Sequence, residues 1–366
     1  MKPPDHPIAS GDREIGRLIL AALVRAGCSV EIASRFISYQ KQPSFGLFEA
    51  KKREGEQAAQ DVIAAMSARP PGQRPQLWLT YHPYCKAPDW LGPVVTSALE
   101  IPYATVEACR TRQNTDADWL AGRQAAQAAI RHAAINFCLK PSDLDYLRDL
   151  LGDERSIVRL APFIDVDAAT TGVAGRHMRT FAHDDPVILA VGMMRPNKKA
   201  ESYRILAQAL RQTGPSHWNL VVIGDGPERD RIADEFAFVD PQRIHFTGAI
   251  AREEVLAWMG TADVFAWPGY RESIGLVFLE AQANSLPVVA LRSLGVPMVV
   301  VSGKTGFLVD EGDPIAYAKA LQDLLASPAT RRKFGEAGRR HVRRNHGLEA
   351  ASATFRRAFD RCVEAA

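Results

Sequence analysis

At 366 residues the chain is long enough for two domains of ordinary size. Its 46% hydrophobic and 24% charged residues exclude a disordered or collagen-like chain. A formal charge of +3 does not imply nucleic-acid binding, and no stretch approaches 18 uninterrupted apolar residues, so neither a spanning helix nor a signal-peptide core is expected.

Pro3, Pro4 and Pro7 forbid a central strand at the start, so no apolar strand precedes the first helix. Ser10-Gly11-Asp12 opens that helix, in which Ile15, Leu18, Ile19, Ala22 and Leu23 recur at helical spacing as far as Arg25. Gly27 ends it, and residues 29–33 read as a strand. A long helix is expected from about Phe48 to Ala68. Strands follow at Leu77–Thr80 and Tyr103–Val106. They end at one edge of a parallel sheet, which makes His82 and Glu107 candidates to face a cleft. Histidine at a strand end is also a common structural group. Lys86 and Asp89 read as a solvated turn. A helix over Trp119–His132, a strand over Ala134–Leu139, a helix capped by Pro141-Ser-Asp143 and a strand over Ile157–Leu160 complete this half.

In the second half, Val187–Val191 is an apolar strand ended by Gly192. The loop after it carries Arg195, Lys198 and Lys199 into a helix over Glu201–Leu210. Arginine there offers a two-pronged donor and lysine a point charge, both suited to a pyrophosphate. Asn219 to Glu228 is a strand and a tight turn through Gly224 and Gly226. It is not a dinucleotide fingerprint, because Arg229 stands where the third glycine would be. After a strand at Ile244–Phe246 and a helix over Arg252–Met259, a strand at Ala262–Ala266 ends at Pro268-Gly269. The polar loop with Glu272 and Ser273 then meets a helix over Ile274–Ala283. If helical throughout, Glu272 and Glu280 lie roughly 10 Å apart along the axis. The free N–H groups of Ile274, Gly275, Leu276 and Val277 at the helix start suit a diphosphate. Gly303-Lys304-Thr305 is not a phosphate loop, because the upstream glycine is missing. The basic run Arg331–Arg344 reads as a solvated helix face, with an acidic membrane or acceptor as its second reading. The cysteines at 28, 85, 109, 138 and 362 are scattered and odd in number, which reads as reduced thiols in a cytoplasmic protein.

The run from Tyr270 to Ala290, with seven residues between Glu272 and Glu280, resembles the donor-site signature of retaining glycosyltransferases of family 4, the glycosyl transferases group 1. The resemblance is strong over about Val187–Leu325. It implies the α/β GT-B fold: two Rossmann-like doubly wound parallel-sheet domains facing a central cleft. The corresponding division is 1–165 for the acceptor-side domain, 166–186 for a linker, 187–345 for the nucleotide-sugar domain and 346–366 for a helix returning to the first domain.

The resemblance further implies that Glu272 grips sugar hydroxyls and Glu280 the ribose hydroxyls. Gly11 falls where the family's first glycine loop meets the donor phosphates. Lys198 fits the family's lysine position, with Lys199 as the alternative. The pattern is broken where Met193 replaces an arginine, where Glu107 replaces a histidine, and where Val296 and Met298 replace a glycine and a glutamate. The implied activity is sugar transfer, with retention, from a nucleotide-diphosphate sugar to a sugar, lipid-linked or small-molecule acceptor. No metal or other cofactor is expected. Arg195, Lys198, Glu272, Glu107 and His82 form the expected catalytic set. The alternatives are a non-catalytic nucleotide-sugar-binding subunit and a sugar-nucleotide epimerase, the latter drawing on His82 and Glu107 for acid and base.

Overall fold

Short runs of consecutive apolar residues make strands buried on both faces, and here they build two parallel sheets. The structure is a computed structural model and describes residues 3–5, 11–42, 44–109, 119–170, 181, 184–214 and 217–364. The chain divides into two compact units, one of residues 1–160 with 351–366 and the other of residues 161–350.

The first unit begins with α1 (Gly11–Arg25) and α2 (Phe45–Ser67). Then follow β1 (Trp78–Tyr81), α3 (Gly92–Leu99), β2 (Tyr103–Val106), α4 (Leu120–His132), β3 (Ile135–Cys138), α5 (Pro141–Leu151) and β4 (Ile157–Arg159). The sheet order is β1-β2-β3-β4, all parallel. β2 and β3 are buried at every position, whereas β1 is only partly buried at each. The cause is its outer edge, which no strand among the described residues covers. Trp78 N–H donates to Pro102 O at 3.0 Å and His82 N–H to Val106 O at 2.7 Å. Strand alternation therefore turns the backbone groups of Leu79 and Tyr81 away from β2. A cavity of about 940 Å³ lies along that edge, lined by Ile19, Leu23, Val30, Ile32, Met66 and Leu79 among others.

The strand expected over residues 29–33 does not form. Val30 and Ile32 have the alternation of a strand, but among the described residues no neighbouring strand takes their backbone hydrogen bonds, and β propensity expresses itself only in a sheet. Asp89 is not a solvated loop residue either: it accepts from Tyr103 Oη at 2.8 Å and from the N–H groups of Leu91 and Gly92.

The second unit begins with α6 (Val166–Thr170), where the sequence pattern suggested a linker. Val166 and Ala169 are buried in the core of this unit, so at least these residues are not a tether. The remaining elements are β5 (Val187–Val191), α7 (Lys198–Gln212), β6 (Asn219–Ile223), α8 (Arg229–Glu235), β7 (Ile244–Gly248), α9 (Arg252–Thr261) and β8 (Val264–Ala266). They continue with α10 (Leu276–Ala283), β9 (Val288–Leu291), α11 (Val296–Val299), β10 (Gly306–Val309), α12 (Pro314–Ala326) and α13 (Pro328–Asn345). The sheet order is β10-β9-β8-β5-β6-β7, parallel throughout. The chain leaves β5 toward β6 and β7, then crosses back to β8. The point of reversal lies between β5 and β8, where open parallel sheets hold ligands beyond the carboxyl ends of the strands.

Helix α13 packs closely on α10 because a Cβ at Gly335 would lie 2.0 Å from Ser285 O. Its first basic residue, Arg331, is not on a solvated face: it donates to the carbonyls of Leu324 and Leu325 and pairs with Asp263. Helix α14 (Leu348–Glu364) begins in the second unit and continues into the first. There Phe355 packs on Phe137, ring centroids 4.7 Å apart, and Ser352 Oγ donates to Ala22 O at 2.9 Å. Among the described residues, no helix is long and apolar enough to cross a membrane.

Candidate donor and acceptor sites

Three loops meet beyond the ends of β5, β6 and β7. Gly192 N–H donates to Ile223 O, Met194 N–H to Asp225 O and Gly224 N–H to Gly248 O, each at 2.9–3.0 Å. Gly224 and Gly226 have φ of 147° and 153°. Added Cβ atoms there would lie 1.9 Å from Gly192 O and 2.4 Å from Met194 O. Only glycine lets these turns nest, which explains their spacing better than a dinucleotide fingerprint does.

The helix after this nest begins at Lys198, three residues earlier than the sequence pattern indicated. Successive helical residues point about 100° apart. Lys199, not Lys198, therefore turns inward, with Nζ 2.8 Å from Glu272 Oε2 and 5.5 Å from the Trp267 ring centroid. Lys198 and Arg195 are exposed. Neither makes an ion pair among the described residues. Met193, at the family's arginine position, is 48% exposed.

Glu272 lies in a turn closed by its own N–H to Gly269 O at 2.9 Å. Its carbonyl accepts from Gly295 N–H at 3.0 Å, which ties the turn to the start of α11. Helix α10 starts at Leu276 after Gly275 in the left-handed region, φ 79°. The separation expected from continuous helix between the two glutamates does not hold, because residues 272–275 are non-helical. Among the described residues, nothing accepts from the N–H groups of Ile274, Gly275, Leu276 and Val277, and Ser273 does not cap the helix. Four such donors at a helix start, beside an ammonium and a carboxylate, make a cradle for an anion bearing hydroxyls. Farther along α10, Glu280 Oε1 lies 2.7 Å from Arg252 Nη2. Val296 does not open this loop: it is fully buried in the core, and Met298 packs against that core.

The first unit holds a second cluster, where β1, β2 and β3 end together. His82 and Glu107 follow their strands with φ of 58° and 57°, backbone that non-glycine residues adopt at a cost and that gathers at functional sites. Glu107 is 3% exposed. It accepts from Lys140 Nζ at 2.6 Å and Tyr81 Oη at 3.1 Å, and lies 3.6 Å from His82 Nδ1. Lys140 Nζ is also 3.2 Å from Asp143. Burial alone would raise the Glu107 pKa, but His82 and Lys140 hold it down to about 2. Burial opposes charge on His82 as well, and contacts with Cys109 and Glu107 lift it to about 10. Burial raises Asp143 despite Lys140.

The sequence pattern singles out His82 and Glu107, and the structure brings Lys140 and Tyr81, which it does not single out, to the same cluster. Lys140 follows β3 at the same sheet edge, so strand alignment was the available signal. Gly11 is the first residue of α1, and an added Cβ would meet nothing within 4 Å, so its backbone does not require glycine.

Residues 176–341 match the family model for glycosyl transferases group 1. The chain carries a group 1 glycosyl transferase domain. A D-inositol 3-phosphate glycosyltransferase of Streptomyces avermitilis is 41% identical over 232 residues, covering 63% of this chain and 46% of that protein. A protein of the same name from Corynebacterium diphtheriae is 30% identical over 69% of this chain and 62% of its own length. The chain thus spans about half the length of these curated relatives.

The group 1 domain and the unit preceding it together match solved glycosyltransferase structures. Sucrose-phosphate synthase of Thermosynechococcus elongatus aligns over 99% of this chain and 97% of its own, with TM-score 0.69 and 21% identity. A Rickettsia africae glycosyltransferase aligns over 98% and 97%, with TM-score 0.72 and 14% identity. At these identities the likeness shows the fold: two Rossmann-like parallel-sheet units of the GT-B type.

Proposed function

We propose that this chain is a retaining glycosyltransferase that takes its sugar from a nucleoside diphosphate sugar. One observation carries the reading: the Lys199–Glu272 pair stands beside four backbone N–H groups that donate to nothing among the described residues. In the proposed reaction, the bond between the sugar's anomeric carbon and the diphosphate oxygen breaks, and its electron pair stays on the phosphate. Lys199 and the N–H groups from Ile274 to Val277 receive that charge, with Arg195 as an additional cation. Glu272 holds sugar hydroxyls and Glu280 the ribose. The acceptor hydroxyl attacks the same face, and its proton passes to the departing phosphate. No metal takes part in this scheme. His82 and Glu107 are proposed for the acceptor side, with His82 donating as an imidazolium rather than acting as a base.

The relatives' name points to a phosphorylated cyclitol as the first acceptor to try. A solved neighbour, Anabaena HepE, was obtained with UDP, so UDP-sugars are the first donors to try. The proposed setting is the cytoplasm, with the exposed basic residues of α13 as the surface for any contact with an acidic membrane.

The test is a melting-temperature screen of UDP-, GDP- and ADP-sugars, followed by transfer to inositol phosphate in EDTA with the product's anomeric configuration read by NMR. A ligand bound to the native state raises the melting point. Absence of any shift sinks the donor reading, an inverted product sinks retention, and loss of activity in EDTA sinks metal independence. Met193 favours a second reading, a binding subunit without catalysis, since it exposes a thioether where the family carries a guanidinium. Donor binding without transfer or hydrolysis would establish it. Epimerised donor formed without acceptor would instead mark an epimerase.

A further inference from the structure

We propose that Arg252 is a positioning residue for the nucleoside end of the donor, holding the Glu280 carboxylate in the orientation that accepts from ribose hydroxyls. The inference rests on the donor reading above. Arg252 is the first residue of α9 and Glu280 lies in the second turn of α10. Their 2.7 Å contact joins the segment after β7 to the helix whose N-terminus forms the phosphate cradle. The same β7 segment reaches the glycine nest, because Gly248 O accepts from Gly224 N–H. Arg252 thus ties together two loops on the edge where a parallel sheet takes its ligand.

Exposure separates this contact from the ordinary ion pairs of the surface. The Arg252 side chain is 45% exposed, but that of Glu280 is only 15% exposed. A carboxylate so far from water is costly to leave without its cation, and a flexible one would lose orientation on every binding event. A planar guanidinium suits this task because its donors have fixed directions, whereas an ammonium constrains only distance. Neither residue's role requires the other lobe, so the inference can be read in donor binding alone.

The test compares UDP with 2′-deoxy-UDP, and GDP with 2′-deoxy-GDP, by calorimetry on wild type and Arg252→Gln. Wild type should prefer the ribonucleotide by about tenfold or more, the worth of a hydrogen bond to a charged group. Arg252→Gln should bring that preference to within about twofold, as should Glu280→Gln. Equal weakening of both nucleotides would overturn the proposal and leave Arg252 a phosphate contact or a structural residue. So would an unchanged preference. A wild type indifferent to the 2′-hydroxyl would instead sink the ribose role of Glu280 itself, a separate failure. If Arg252→Gln lowers the melting point of the free protein, Arg252→Lys decides in its place: it should retain part of the preference, and a complete retention would overturn the positioning role.

Discussion

Lys199 and Glu272 come from elements 73 residues apart in sequence, yet their charged atoms are 2.8 Å apart, and the same ammonium stands over the Trp267 ring. In the proposed reaction the pair joins two tasks, neutralising phosphate and holding hydroxyls. Lys199→Ala should lower kcat by roughly two to three orders of magnitude, as loss of a preorganised donor to a developing anion does. Lys198→Ala, on the exposed neighbour, should stay within about twofold. Steady-state kinetics on both, with Glu272→Ala and the double mutant, check the assignment. A coupling energy between positions 199 and 272 of about 1 kcal/mol or more is expected for residues in contact. Loss of activity in Lys198→Ala but not Lys199→Ala would reverse the assignment.

The nested turns make a stability prediction. Gly226→Ala would put a Cβ 2.4 Å from a backbone carbonyl oxygen at φ 153°, so both space and dihedral oppose it. A destabilisation of roughly 2 kcal/mol or more is expected, with weaker donor binding. Gly11→Ala meets open space in a helix and should keep its stability within about 1 kcal/mol. Chemical denaturation measures both. Should Gly11→Ala lose transfer while its melting point holds, Gly11 would be assigned to the ligand.

How far these sites could be read in the sequence depended on how local their causes are. The turn, the glycine and the short apolar helix around Glu272 and Glu280 are consecutive, so their pattern survives in one dimension. The choice between Lys198 and Lys199 turned on where α7 begins, and a shift of three residues rotates the inward position onto the next lysine. Val30 and Ile32 look like a strand, but whether they become one depends on a neighbour far away in the chain. Lys140, 33 residues from Glu107, has no local signature at all. Val296 reads as a lost glycine, yet it is a core residue of α11. What a residue packs against is written elsewhere in the chain, and this is why both parallel sheets were legible while several of their pairings were not.

His346 gives a pH prediction. Asn345 Nδ2 donates to His341 Nδ1 at 3.0 Å, His341 Nε2 faces His346 Nε2 at 3.2 Å, and His346 Nδ1 faces Pro162 O at 2.6 Å. The chain closes only if both rings are neutral, each with one proton. Burial lowers His346 from 6.5 to about 4. The unfolded state therefore binds a proton that the folded state refuses, and stability should fall as pH drops from about 6.5 toward 4. His346→Gln should be less stable near neutrality but lose roughly 2–3 kcal/mol less across that range. Melting curves from pH 7.5 to 4 test this. Parallel curves for the two proteins would show that His346 is not the titrating group.

The first unit's cluster yields the last prediction, because its charges are too buried to be released to water. Lys140 faces Glu107 and Asp143, and Glu107 also faces Tyr81 and His82. Lys140→Met would leave two buried carboxyl groups with, among the described residues, only His82 as a cation close by, at a cost of roughly 3 kcal/mol. Glu107 should then give up its low pKa and titrate closer to neutrality, which would move the acid limb of transfer upward in pH. Lys140→Arg, retaining the charge, should restore much of both stability and profile. Lys140→Met/Glu107→Gln should recover part of the stability without recovering transfer, since it removes one of the two stranded carboxylates along with the group beside His82. Denaturation midpoints and kcat/KM from pH 5 to 9 separate these effects. A double mutant with full activity would show that the cluster braces the sheet ends and takes no part in the reaction, whereas donor binding, proposed above for the other unit, should remain at wild-type strength in all three variants.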